Sequence, residues 1–171
     1  MMEDNSTKAQ RSHSAAVITL SDGVHHGTRI DRSGDVLEQR LTEAGFEVTE
    51  RHALPDERAE LAELLRTLAD HRVVRLIVTT GGTGLGPRDV TPDATRDVMD
   101  REVPGMAEAM RMESLKKTPF AMTSRQVVCT RGQTLIVNLP GSPKAVEECL
   151  AVIIRVIPHT LDLLAGDTEH R

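Results

Sequence analysis

A chain of 171 residues, 39% hydrophobic and 27% charged, suits one soluble globular domain with a single substantial core. Phe46 and Phe120 are its aromatics, with no Trp or Tyr, so the core is aliphatic and single-strand nucleic-acid binding by base stacking is disfavoured. The net charge of −5 excludes a general polyanion-binding surface, so an anionic ligand needs local Arg, Lys or backbone N–H groups.

Residues 1–14 are polar, carry no apolar signal-like stretch and read as a disordered lead-in. Ala15–Leu20 (AAVITL) is short, apolar and partly β-branched, which predicts a buried strand. The polar loop Ser21–Asp31 precedes a helix from about Ser33 to Ala44, with Val36, Leu37 and Leu41 on one face and Gly45 as its stop. Phe46–Leu54 alternates as a strand. Asp56 then stands where an N-cap would start an amphipathic helix over Glu57–Asp70. Arg75–Thr80 predicts a third strand, followed at once by a glycine-rich turn. Thr91-Pro92 has the form of an N-cap with Pro at the first helical position, and Pro104–Lys117 predicts one more helix. Gln126–Thr130 and Thr134–Leu139 form a hairpin around Arg131–Gln133. Ser142-Pro143 opens a last helix to about Leu164, which Pro158 should kink or interrupt.

The order β-α-β-α-β-α-α-β-β-α predicts a three-layer α/β/α domain over residues 15–165, with a mostly parallel sheet, one antiparallel strand and a tail at 166–171. Cys129 and Cys149 lie far apart and form no CxxC, so they read as reduced thiols of a cytoplasmic protein. No run is long enough to span a membrane, so no membrane partner is expected.

Ligands of such sheets bind beyond the carboxyl ends of the strands. The loops expected there are Ser21–Asp31, Pro55–Asp56, Gly81–Asp89 and Pro140–Ser142, and the glycines and polar residues concentrate in them. Within TTGGTGLGPRDVTPDA, glycines would let the backbone approach an anion and aim N–H groups at it. The run is not a P-loop, lacking Gly-Lys-Ser/Thr, nor G-x-G-x-x-G, because Pro87 takes the last glycine position. Phosphate binding competes evenly with a tight, ligand-free turn until Arg88-Asp89 are added, which favour binding. Asp56 and Asp89 each follow a strand and, if they converge, would hold Mg²⁺ on ATP phosphates. Taken singly, each has a simpler role: Asp56 capping a helix, Asp89 pairing with Arg88. Pro140-Gly141-Ser142 would hold an oxyanion or merely start a helix. His25-His26 on a loop has no fixed geometry and reads as an exposed pair. Lys116, Lys117 and Arg125 flank Thr118–Ser124 and form either an anion-attracting or a merely solvated basic patch.

Together these motifs resemble the molybdopterin adenylyltransferase family (Mog and the G domains of gephyrin-like proteins). The resemblance is carried by Thr80–Thr95, by S-D-x-x-x-x-G-x-x-x-D-x-S-G at Ser21–Gly34, by Leu54-Pro55-Asp56-Glu57, by Glu113-Ser114-Leu115 with Thr118–Met122, by Ser124-Arg125, and by Asn138-Leu139-Pro140-Gly141. It covers about Ala15 to Leu164. It implies a three-layer α/β/α fold, usually trimeric, and the reaction of molybdopterin with Mg-ATP to adenylylated molybdopterin and pyrophosphate. Asp56 and Asp89 fall on the family's reaction-critical aspartates and would hold Mg²⁺. Gly81, Gly82, Thr83, Gly84, Arg88, Pro140 and Gly141 would line the nucleotide and phosphate region. Ser21, Asp22, Ser114, Ser124 and Arg125 match positions at the pterin. No molybdenum-insertion domain is appended, so a separate insertion protein is the expected recipient of the product. A MoaB-like paralogue and a non-catalytic molybdopterin carrier or scaffold are the alternatives; a carrier would not need the two aspartates.

Overall fold

Along the central strands, apolar side chains point alternately to two faces, and this fixes the layers. The computed structural model describes residues 13–72 and 74–167. In β1 (Ser14–Leu20), Ala15 and Val17 belong to one core and Ala16, Ile18 and Leu20 to the other. In β3 (Leu76–Thr80), Leu76 and Val78 face the first core and Ile77 the second. A strand buried on both faces reads as a continuous apolar run, which is why these segments stood out.

The first core is closed by α2 (Arg32–Glu43), α5 (Pro104–Leu115), α6 (Pro143–Ile153) and α7 (Ile157–Leu164), through Leu37, Leu41, Met110, Leu150, Ile157 and Leu161 among others. The second is closed by α3 (Arg58–Arg66), a wider turn at Thr67–His71 and α4 (Thr91–Val98), through Leu61, Leu65, Leu68, Ala94 and Val98. Each fully buried Leu or Ile contributes about 1.5–3 kcal/mol, so the two aliphatic layers carry the stability that aromatics supply elsewhere.

The sheet also contains β2 (Glu47–Leu54), β4 (Arg101–Glu102), β5 (Val128–Arg131) and β6 (Thr134–Leu139), in the order β2-β1-β3-β6-β5-β4. β2, β1, β3 and β6 are parallel, with Val17, Val78 and Val137 in line across three of them. β5 is the antiparallel strand, and it pairs with both β6 and β4. β2 is an edge strand of alternating exposure, and its Arg51 reaches Asp31 and Glu38 on the loop before α2 and on α2 itself.

Gly45, at φ +90°, stops α2 as expected. The Phe46 N–H donates to Leu41 O and the Gly45 N–H to Thr42 O, the paired bonds of a helix stop. Ser142 caps α6 by accepting from Ala145 N.

Several local expectations fail. Asp56 does not cap α3; the cap position is Glu57, with no side-chain bond, because the Asp56 carboxylate is taken by a distant backbone N–H. Thr91 is the first residue of α4 rather than its cap, because its hydroxyl donates 2.8 Å to Gly81 O. The last helix is interrupted as expected, but the break lies at residues 154–156 rather than at Pro158, which falls in the first turn of α7, where a missing N–H costs nothing. A short α1 (Asp22–His25) and β4 had no sequence signal strong enough to read. Ser14, assigned to the lead-in, opens β1, and residues 1–12 of that expected lead-in lie outside the described residues.

Candidate functional site

Four loops leave the carboxyl ends of β1, β2, β3 and β6, and they meet around a cavity of about 710 Å³. Ser21, Asp56, Gly81, Gly82, Asp89 and Gly141 all line it. These residues span 120 positions of sequence, so the parallel sheet, not local spacing, brings them together.

The loops after β1 and β2 are stapled reciprocally. The Asp22 N–H donates to Asp56 Oδ2 at 3.1 Å, and the Asp56 N–H donates to Asp22 Oδ1 at 3.0 Å. The Ser21 N–H adds a bond to Leu54 O, while its hydroxyl accepts from Val24 N and starts α1. Arg88 closes over this staple from the glycine loop, with Nε and Nη2 on Asp22 at 3.1 and 2.8 Å and Nη1 on Glu57 at 2.8 Å. Arg88 therefore pairs with Asp22 and Glu57 rather than with Asp89, and it holds the Asp22 carboxyl below the usual range. Burial acts oppositely on Asp56, pushing its carboxyl up, with the charges of Asp22 and Asp89 adding to the effect.

The glycines of the third loop have separate reasons. A Cβ on Gly81, at φ +99°, would run into Leu20 O. A Cβ on Gly141 would lie 3.3 Å from Gly81 Cα, so the two loops pass backbone to backbone. Thr80 fixes that approach by donating 2.7 Å to Pro140 O. Asp89 Oδ2 accepts from Gly86 N at 2.8 Å, and a Cβ on Gly84 or Gly86 would stand 2.9 Å from that oxygen. The turn is thus shaped around the Asp89 carboxylate.

Oδ1 of Asp56 and Oδ1 of Asp89 accept no hydrogen bond among the described residues. Two carboxylates lining one cavity, one of them disfavoured in its charged form by burial, suit a hard cation shared with phosphate oxygens. Among the described residues no group of three or more His, Cys, Asp or Glu is arranged to hold a metal by itself. Such a cation would therefore complete its shell with water and ligand oxygens. His25 and His26 are exposed, and their Nδ1 atoms meet Ala53 O and Asp22 O.

The other expected residues lie elsewhere. Thr83, Gly84 and Arg125 sit on the back of the glycine loop, where the Arg125 N–H donates to Thr83 O and its Nε to Gly84 O. Ser124 accepts from Gln126 N beside them. Ser114 Oγ lies 3.6 Å from Cys149 Sγ, between α5 and α6. The cavity also uses Thr19, Thr28, Arg29, Arg32, Ser33 and Ser142. Of these, Thr28, Arg29, Arg32 and Ser33 belong to the Ser21–Gly34 motif, whereas Thr19 lies within β1, where nothing in the sequence marks it.

An α/β/α fold that gathers an acidic pair and glycine loops beyond the carboxyl ends of its parallel strands has its cavity where sheets of this class bind ligands. The chain belongs to the family whose model is described as "Probable molybdopterin binding domain", which matches residues 16–159. It is 46% identical over 165 residues to the "Molybdopterin adenylyltransferase" of Escherichia coli K12, covering 88% of this chain and 84% of that protein. It is 41% identical over 155 residues to the "Molybdenum cofactor synthesis protein cinnamon" of Drosophila melanogaster, of whose length it spans 26%. The solved structure of the molybdopterin biosynthesis enzyme MoaB from Thermus thermophilus superposes with a TM-score of 0.85 at 46% identity, covering 90% of this chain and 97% of that one.

Proposed function

We propose that this chain transfers the adenylyl group of Mg-ATP to the terminal phosphate of molybdopterin, releasing pyrophosphate. The observation that carries the reading is that Asp56 and Asp89, 33 residues apart in sequence, line one cavity together with Gly81 and Gly82. The name of the Escherichia coli relative supports it.

In the transfer, a terminal phosphate oxygen of molybdopterin forms a bond to the α-phosphorus. The bond from that phosphorus to the bridging oxygen breaks, and its electron pair leaves with pyrophosphate. Such reactions need positioning and charge neutralisation more than covalent help. Asp56 Oδ1 and Asp89 Oδ1 would hold Mg²⁺, which neutralises phosphate charge when bound. The Asp22–Asp56 staple and Arg88 keep Asp56 in place, while the N–H of Gly86 keeps Asp89 in place. Arg29, Arg32 and Ser33 add positive charge and a hydroxyl to the lining of the same cavity, where they would meet a second phosphorylated group. The adenylylated product would pass to a separate insertion protein, and the active form would be a trimer in the cytoplasm. No helix among the described residues is long and apolar enough to cross a membrane.

The test is pyrophosphate release from Mg-ATP by the pure protein with and without molybdopterin. Molybdopterin-dependent release is expected. Molybdopterin binding with no release would favour the MoaB-like or carrier reading, which the equally high identity to the Thermus thermophilus MoaB keeps in view.

A further inference from the structure

Among the described residues β5 is the one strand that enters the sheet from the carboxyl edge, so the residue leading into it, Arg125, arrives behind the glycine loop rather than in the cavity. Its guanidinium donates through Nε to Gly84 O at 2.8 Å and through Nη2 to Asp89 O at 2.6 Å. Nη1 and Nη2 meet the Asp93 carboxylate, on the first turn of α4, at 3.1 Å. Its own backbone N–H donates to Thr83 O at 2.9 Å. One side chain thus grips both ends of the turn that carries Asp89 and ties them to the helix that follows. Asp93 balances the guanidinium charge, which leaves Arg125 poorly suited to attract an anionic substrate.

From this geometry we infer that Arg125 is a positioning residue: it acts through the Gly84–Asp89 turn to set the Asp89 carboxylate, and it does not bind molybdopterin. The inference rests on the proposed adenylyl transfer and names a part of its machinery. Lysine cannot replace this planar fork, because a single ammonium cannot serve two carbonyls and a carboxylate together. A displacement of about 1 Å at a reacting group costs on the order of 100-fold in rate.

Arg125→Lys, Arg125→Ala and Asp93→Asn would be assayed for kcat and for the KM of molybdopterin, with thermal melts to monitor folding. In Arg125→Lys, kcat should fall on the order of 100-fold while the molybdopterin KM stays within about twofold. Asp93→Asn, which loosens the anchor and leaves Arg125 in place, should lower kcat by roughly tenfold with the same unchanged KM. Free guanidinium ion at low millimolar concentration should restore Arg125→Ala by about tenfold or more. A molybdopterin KM that rises while kcat holds would overturn the inference and make Arg125 a ligand. Hydrogen exchange gives a readout independent of activity: the amides of Gly86 and Asp89, which are hydrogen-bonded across the turn, should exchange at least about tenfold faster in Arg125→Lys. Unchanged exchange overturns the clamp even if the protein proves to be a carrier. Failure of the unsubstituted protein to release pyrophosphate, with faster exchange in the variant, sinks the transferase reading and leaves the clamp standing.

Discussion

Gly82→Ala puts a large strain into a small change. Gly82 has φ +66°, and a Cβ there would strike the Thr91 hydroxyl and stand 3.4 Å from Asp56 Oδ1. Left-handed backbone costs an alanine about 1–2 kcal/mol, the buried Thr91 bond to Gly81 O is worth about 1 kcal/mol, and pushing the packed start of α4 adds about 1–3 kcal/mol. The expected loss is about 3–6 kcal/mol, which for a chain of this size lowers the melting temperature by on the order of 10 °C or more. Thr91→Ala alone should cost about 1 kcal/mol. In the double variant the hydroxyl is gone and the nearest Thr91 atom left is Cβ at 3.5 Å, an ordinary contact. The double variant should therefore be no less stable than Gly82→Ala alone, a strongly non-additive pair. Urea denaturation with a constant slope reads this directly. Costs that simply add, or a Gly82→Ala protein within about 1 kcal/mol of the original, would refute the collision as the cause.

Asp89→Asn keeps an acceptor for Gly86 N but loses the charge, so turnover should fall on the order of 100-fold or more while molybdopterin affinity by calorimetry changes little; equal turnover would remove Asp89 from the chemistry. Burial holds the Asp56 carboxyl above its ordinary 3.8, so its charged form weakens the fold at neutral pH, and this penalty fades as pH falls through the raised value towards the ordinary one. Asp56→Asn should therefore melt higher than the original near pH 7, lose that advantage near pH 4, and be inactive; a lower melt near pH 7 contradicts the burial argument. Burial pushes the Cys129 thiol up to about 12 and raises Cys149 as well, so a thiol reagent at about pH 8 should label neither until the chain unfolds. Rapid labelling of the folded protein would show one of them to be accessible.

What could be read from the chain was whatever depends on local periodicity. AAVITL, RLIVTT and TLIVNL announced strands, the first of them as buried, and the loops expected at the carboxyl edge proved to be the ones that meet. Partners of polar side chains were misread wherever they lie far off in sequence. Asp56 looks like a cap because Glu57 follows it, but its carboxylate is claimed by Asp22, 34 residues earlier. Thr91 looks like a cap because Pro92 follows it, but its hydroxyl is drawn back to Gly81. Arg125 stands 36 residues from the Asp89 carbonyl it holds, and only the reversal of β5 puts the two side by side. Family motifs supplied residue identities for the site, but not which of those residues face the cavity and which support it from behind.

The same reversal gives the molecule a handle. The β5–β6 turn, with Gly132 at φ +53° and residues 132 and 133 exposed, lies at the rim of the sheet opposite the cavity. A six-residue strand, β6, separates the two rims by about 20 Å. A dye, an affinity tag or a surface tether grafted at Gln133 would report on or immobilise the protein without entering the cavity where substrate is proposed to bind. Substrate exchange could then be followed on a captured molecule whose working face remains open to solution.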